Sequence, residues 1–392
     1  MATAFEFATA QRIVFGRGSL DQLGEAAGAF GRKALLVAAA HLQRTGALTR
    51  VEYLLSKKAV AVERLLVHGE PEAHVVDEAA ARARALGSEL VIAVGGGSAL
   101  DVGKAAAGLA TNGGSVREYL EGVGTGRALK ARPLPFLAAP TTAGTGSEVT
   151  RNAVVSSKAE GFKKSIRSPL LLPLVALVDP ALTDSTSPAQ TAASGLDALT
   201  QLIEPFVSTR AMPATDALAL EGIRRARTAL PRAFLKGDDH EARDDLALAS
   251  LFGGLCLANA GLGAVHGIAA ALGVRFGLPH GLACACVLAA TVEVNIRALE
   301  RHDPGGPALE RYAKVGEALA GRAFGSHAEA RGAAVQLVRE LCEQLKVPRL
   351  SSLGVGPARL PMLVAEARGS SMKTNPVVLE DSEIAEILSM SL

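Results

Sequence analysis

The chain contains no tryptophan, and aromatic residues make up only 4% of its 392 positions. It has no excess charge of either sign: 41 Lys and Arg face 39 Asp and Glu, for a formal net charge of +2. That balance, without clustered arginine and aromatic residues, gives no electrostatic case for a nucleic-acid partner. Cysteine is scarce as well. Cys256, Cys284, Cys286 and Cys342 in a chain this long make no disulfide framework. A reducing cytoplasm is the expected compartment. The opening stretch MATAFEFATAQRIVFG carries Glu6 and lacks the apolar core of a secretory signal.

One segment imitates a membrane span. Residues 246–274 hold no charged side chain apart from any charge on His266, and length alone would suit a bilayer. The segment is rich in Gly and Ala, however, and has Asn259 and His266 inside it. It is expected to be buried helix in a large core, with no membrane partner.

What is present is a hydrophobic content of 49% and 41 glycines, an ordinary globular composition. The length allows two domains. The first half alternates strand and helix signals. Short apolar runs at 33–38, 60–67, 90–94, 134–139, 153–155 and 174–178 read as strands. Residues 42–57 and 72–86 read as helices between them, and 10–32 as an edge strand and short helix. Such alternation predicts a parallel βαβ sheet. After about residue 185 strand signals stop and helix follows helix, so a boundary is expected near 183–188, giving domains 1–185 and 186–392.

Two loops in the first half suit a phosphate-bearing ligand. The apolar run LVIAV leads straight into Gly95-Gly96-Gly97-Ser98 and then a helix. Glycines there let backbone amides approach a phosphate, and the helix N-terminus favours an anion. Ser98 and Asp101 also form an S-x-x-D capping pair, which is the plain structural alternative. The second loop, PTTAGTGSE from residue 140, offers the hydroxyls of Thr141, Thr142 and Thr145. It is either a ribose- or nicotinamide-binding loop or an elaborate turn. Lys163 and Lys164 are either a solvated pair or a ribose or phosphate contact.

The helical half places His266 and His280 in apolar surroundings. In one continuous helix, fourteen residues would part the rings by roughly 21 Å. Gly277-Leu278-Pro279 interrupts the pattern, so a fold-back can bring both rings to one point. They are either satisfied core histidines or partners of a ligand. Asp197 and Gln201, four residues apart, share a helix face.

Taken together, five motifs resemble the iron-containing (group III) alcohol dehydrogenase family. They are GGGSALDVGKAAA at 95–107, PTTAGTGSEVT at 140–150, ALVDPALT at 176–183, GLDALTQLIEPFVS at 195–208 and AVHGIAAALGVRFGLPHGLACA at 264–285. Their order and spacing match across nearly the whole chain. The resemblance implies a dehydroquinate synthase-like fold: an α/β nucleotide-binding domain, an all-α domain and a metal in the cleft between them. It implies NAD(P)H bound by Gly96, Gly97, Ser98, Asp101, Thr141, Thr142, Thr145 and Lys163. It implies a divalent metal, Fe²⁺ or Zn²⁺, at Asp197, Gln201, His266 and His280, with Asp197, His266 and His280 catalytic. The implied reaction is hydride transfer between a small alcohol or aldehyde and nicotinamide, in a homo-oligomer.

Three departures qualify it. Gln201 stands where relatives place a histidine ligand, and an amide oxygen is the weaker donor. Ala270 stands where a proton-relay histidine is usual. Ala39 stands where an aspartate commonly reads the ribose hydroxyls, so NADP(H) is favoured slightly over NAD(H). Alternatives are a metal-independent reductase or a cyclase-like enzyme on the same scaffold, or a nucleotide-binding protein with a decayed metal site. Cys284 and Cys286 flank the site, as small packing residues or, for Cys284, as a thiolate ligand.

Overall fold

The computed structural model describes residues 4–392. It separates into an α/β unit, Ala8–Ser185, and a helical unit, Thr186–Leu392, which also takes in residues 4–7.

The α/β unit is built on strands β1 (Arg12–Phe15), β2 (Lys33–Ala39), β3 (Ala61–Val67), β4 (Leu90–Gly95), β5 (Phe136–Pro140), β6 (Asn152–Ser157), β7 (Phe162–Arg167) and β8 (Val175–Val178). Its helices are α1 (Leu23–Gly28), α2 (Ala47–Ser56), α3 (Ala73–Leu86) and α4 (Gly97–Asn112). Six strands form one sheet in the order β1-β8-β5-β4-β2-β3, with every neighbouring pair parallel. A parallel sheet covered on both faces needs strands that are apolar on both faces. β4 meets that demand, since all its residues are buried. Alternate side chains serve opposite layers. Leu35, Val37, Val91 and Ala93 pack on the side of α3 and α4, whereas Leu36, Ala38, Ile92 and Val94 pack with residues of α1 and α2. Each large aliphatic chain so buried contributes roughly 1.5–3 kcal/mol.

Two local expectations need correction. Residues 42–57 are not one helix: Gly46, at φ 74°, holds a left-handed turn before α2 begins. Residues 162–167 are a strand, β7, paired antiparallel with β6. Lys163 and Lys164 hid it, because two adjacent charges, one on each face, break the apolar alternation by which a strand is recognised.

The helical unit contains α5 (Pro188–Val207), α6 (Pro213–Leu235), α7 (His240–Ala260), α8 (Ala264–Phe276), α9 (His280–His302), α10 (Pro307–Ala320), α11 (His327–Gln344), α12 (Leu360–Glu366) and α13 (Asp381–Ser391). α5 is its central rod. Ser187 caps it by accepting from the Gln190 N–H at 3.3 Å, and Pro188 occupies the first turn. Small residues let neighbours close in: a Cβ on Gly195 would lie 2.3 Å from Leu230, and one on Gly222 2.5 Å from Leu202. The suspected membrane segment is α7 and α8, which meet at a bend of 100°. Among the described residues, α9 is the one single helix long and apolar enough to cross a bilayer, and 72% of its apolar window is buried inside the fold.

The break between α8 and α9 falls where glycine and proline predict it. Gly277 ends α8 in the left-handed conformation, at φ 65°. Pro279 precedes α9, and His280 is its first residue.

Candidate functional site

In the sheet, the chain passes from β2 outward to β3, then crosses back to β4 on the other side of β2. Such a reversal opens a crevice beyond the carboxyl ends of the two strands, the usual ligand position in open α/β sheets. β2 ends there in Ala39 and β4 in Gly95. The two strand ends are close: a Cβ on Gly95 would lie 2.8 Å from that of Ala39. α4 starts immediately after, with Gly96 at its N-cap. The first amides of a helix lack intrahelical acceptors and carry the positive end of its dipole. Gly96, Gly97 and Ser98 therefore present an anion site.

The threonine loop packs over this turn. A Cβ on Gly97 would sit 2.8 Å from Thr145, and one on Gly96 3.4 Å from Thr142. Any larger residue would fill the gap between the loops. Thr141 is buried, and its hydroxyl has no hydrogen-bond partner. A buried hydroxyl left unpaired costs about 1–3 kcal/mol, so its place in a loop facing glycines fits a polar ligand.

Asp101 and Lys163 are engaged otherwise. Ser98 and Asp101 do not form the capping box that was the structural alternative for them, because α4 begins at Gly97, ahead of the register that box needs. Asp101 instead accepts from Ser147 Oγ at 2.6 Å and from the Val154 N–H at 2.9 Å. Lys163 Nζ pairs with Glu70 Oε2 at 2.7 Å. The residue that fastens the threonine loop is Lys104, not singled out in the sequence. Fully buried, it donates to Ser147 O at 2.7 Å, Ser147 Oγ at 3.0 Å, Thr150 Oγ1 at 3.0 Å and Asn152 O at 2.8 Å. Burial pulls its pKa down to about 8, against the attraction of Asp101 and Glu148. Burial also raises the Glu148 carboxyl to about 7.

A second site lies within the helical unit. One ligand atom from each of Asp197, His266, His280 and Cys284 lies within 4.8 Å of all the others. Asp197 comes from α5, His266 from the first turn of α8, and His280 and Cys284 from the first turns of α9. The fold-back leaves the two imidazole centroids 5.3 Å apart. His266 Nε2 is 3.3 Å, and His280 Nε2 4.0 Å, from Asp197 Oδ1. Gln201 follows Asp197 by one turn of α5 and is buried.

Glu204, one turn further along α5, sets the orientation of His266. Its Oε2 lies 2.6 Å from His266 Nδ1, and its Oε1 accepts from the Val265 N–H at 2.7 Å. Asn375 Oδ1 accepts from the Ala264 N–H at 3.1 Å. Two side chains thus cap α8 and fix its first turn. The sequence held one sign of Glu204: a carboxylate inside the apolar run LIEPFV, seven residues after Asp197.

With Nδ1 engaged by Glu204, the ring turns Nε2 toward Asp197. His266 Nε2, Asp197 Oδ1 and Gln201 Oε1 are all buried without a hydrogen-bond partner. Unpaired polar atoms gathered in a dry core are costly, and a divalent cation satisfies them together. The residues therefore fit a metal. The local field agrees. Burial works against a charged His266, yet Cys284, Glu204 and Asp197 hold its pKa well above the usual value. Burial likewise opposes ionisation of Asp197, but His266, His280 and Gln201 hold it down to about 2.

Comparison with known proteins identifies the family to which a chain with these two features belongs. Residues 10–180 match the family described as iron-containing alcohol dehydrogenase, and residues 191–392 the C-terminal part of the Fe-containing alcohol dehydrogenase family. The chain belongs to the iron-containing alcohol dehydrogenase family, and it is an NAD(P)-linked oxidoreductase of the alcohol dehydrogenase class. It is 37% identical to long-chain-alcohol dehydrogenase 1 of Geobacillus thermodenitrificans, over 96% of this chain and 95% of that protein. It is 34% identical to alcohol dehydrogenase 4 of Saccharomyces cerevisiae, over 95% of each. A solved 1,3-propanediol oxidoreductase superposes with a TM-score of 0.92 at 31% identity, covering 100% of both chains. A sulfoacetaldehyde reductase from Bifidobacterium kashiwanohense, solved with NAD⁺, gives 0.86 at 29% identity, covering 100% of this chain and 99% of that one.

Proposed function

We propose that the enzyme interconverts small alcohols and aldehydes, with the dinucleotide at the glycine and threonine loops and a divalent metal at Asp197, His266 and His280. The observation that carries this reading is the convergence of Asp197, His266, His280 and Cys284, one ligand atom from each lying within 4.8 Å of the others, with Asp197 Oδ1 and His266 Nε2 buried and unpaired. A bound divalent cation supplies Lewis acidity toward an alcohol or carbonyl oxygen. A bound nicotinamide supplies or accepts the hydride.

The chain's own residues place and tune these groups. The amides of Gly96, Gly97 and Ser98 hold the pyrophosphate at the positive end of α4. Thr141, Thr142 and Thr145 bond the ribose or nicotinamide. Asp101 and Lys104 act at one remove, by fixing the threonine loop to α4. Glu204 holds the His266 ring so that Nε2 faces the cation. Gln201 reaches the cation through its oxygen or through a water. Ala270 carries no proton, so water or another group moves the alcohol proton. Ala39 presents no carboxylate at the end of β2 to repel a 2′-phosphate, which favours NADP(H) over NAD(H). The enzyme is placed in the cytoplasm, as a homo-oligomer, consistent with its four free cysteines.

The test is turnover across a panel of short and long primary alcohols, diols and choline, with NAD or NADP. Each is run with Fe²⁺, with Zn²⁺ and after chelator treatment. Metal-dependent oxidation of at least one alcohol is expected. Absence of turnover in every combination refutes the proposal.

A further inference from the structure

We propose that Cys284 is a thiolate ligand of the cation, so that the site is built from Asp197, His266, His280 and Cys284 and takes zinc in preference to iron. This rests on the metal-dependent reading above and names the coordination of the same site.

The distances support it. Zinc bonds of about 2.0–2.1 Å to nitrogen or oxygen and about 2.3 Å to sulfur imply tetrahedral edges of roughly 3.3 Å between N and O and roughly 3.6 Å between N and S. His266 Nε2 to Asp197 Oδ1 is 3.3 Å, and Cys284 Sγ to His280 Nε2 is 3.8 Å. The His280 to Asp197 edge, at 4.0 Å, is the loosest of these. Cys284 lies one turn after His280 on α9, so both side chains project from one face of the same helix.

The other three sulfurs behave differently. Cys256 Sγ donates to Thr215 O, Cys286 Sγ to Pro348 O and Cys342 Sγ to Ala285 O. Those are thiols packed in helix interfaces and satisfied by backbone carbonyls. The sulfur of Cys284 is turned instead to the imidazoles, completely buried, among unpaired atoms of Asp197 and His266. Packing alone gives no reason for that direction.

Chemistry gives one. Gln201 brings a neutral amide, a poor ligand for Fe²⁺ or Zn²⁺. A thiolate from the opposite helix restores a strong fourth donor and softens the set. A soft thiolate ligand favours zinc, whereas imidazole suits zinc and ferrous iron alike. Gln201 then acts through a water.

The full-length protein is stripped of metal and reloaded with Co²⁺ or Zn²⁺. Wild type is expected to show a near-ultraviolet sulfur-to-cobalt charge-transfer band, and one sulfur neighbour at about 2.3 Å in zinc X-ray absorption. Cys284→Ala is expected to lose both signals yet keep the visible cobalt bands from Asp197, His266 and His280. Its zinc affinity should fall by at least about 100-fold, beyond the loss from an outer-shell partner, while its iron affinity changes less. Cys286→Ala, a neighbouring thiol outside the cluster, should keep all wild-type signals. Metal bound in wild type with only nitrogen and oxygen neighbours overturns the cysteine assignment and leaves the metal reading standing. No stoichiometric metal in wild type overturns the metal reading itself. Thermal unfolding of the metal-free variants separates lost ligation from lost fold.

Discussion

Glu204→Gln tests whether the buried carboxylate tunes the cation site. The substitution keeps shape and volume but exchanges one acceptor for a donor. In the native protein both oxygens accept: Oε1 from the Val265 N–H at 2.7 Å, and Oε2 from His266 Nδ1 at 2.6 Å. An amide can satisfy one of these. If its oxygen keeps the backbone N–H, its NH₂ faces Nδ1, and the ring must carry its proton on Nε2. That nitrogen is then blocked as a ligand. If the amide turns round, the Val265 N–H is buried against another donor, at a cost of about 1–3 kcal/mol. Either outcome should lower metal affinity by roughly 10- to 100-fold, or about 1.4–2.7 kcal/mol. The assay is competition for Zn²⁺ against a chromophoric chelator, with circular dichroism to confirm the fold. Equal affinities in wild type and a folded variant would refute the claim that Glu204 orients His266 for the cation.

Three further outcomes follow from single contacts. Gly281→Ala would place a Cβ 2.7 Å from the Ala193 carbonyl oxygen, so α9 must retreat from α5 and carry His280 with it. Overpacking of about 1–3 kcal/mol is expected in thermal unfolding, together with weaker zinc binding in the same titration. Glu148 has a folded-state pKa of about 7 against 4.5 ordinarily, because burial favours the neutral acid over its attraction to Lys104. The unfolded chain therefore ionises first, and this group's contribution is full below pH 4.5 and declines as pH rises toward 7. The decline amounts to about 3 kcal/mol, and Glu148→Gln should flatten that part of a denaturant-midpoint profile. Ala39→Asp adds a carboxylate at the end of β2, and the ratio of kcat/KM for NAD over NADP should rise by roughly tenfold or more.

Much of the α/β unit was legible because its signals are local. A wholly apolar run such as LVIAV can be stable only inside a sheet covered on both faces. A glycine turn between such a strand and a helix needs no distant partner to be recognised. The hairpin strand β7 was missed for the converse reason: its Phe162 and Ile166 bury only against neighbours supplied elsewhere, and the lysines between them break the apolar pattern. Asp101 shows the same limit. A capping pair is a local rule, and it lost to the tertiary bonds from Ser147 and Val154.

The run Gly277-Leu278-Pro279 marked the end of α8 in the sequence, because a glycine free to turn left-handed followed so closely by proline favours a stop, whereas the lone Pro205 and Pro231 stay inside α5 and α6. The sequence by itself also determined that two imidazoles lie on either side of that break, and that an aspartate and an amide share a face of α5. Tertiary structure alone decided that these elements meet, how closely, and who else attends. Glu204 and Cys284 join the cluster because α5, α8 and α9 pack around one point, with the close approach of α9 to α5 set by Gly281. Hydrogen bonding and ligation act over a few ångströms in space, and spacing along the chain carries that information only within a single helix.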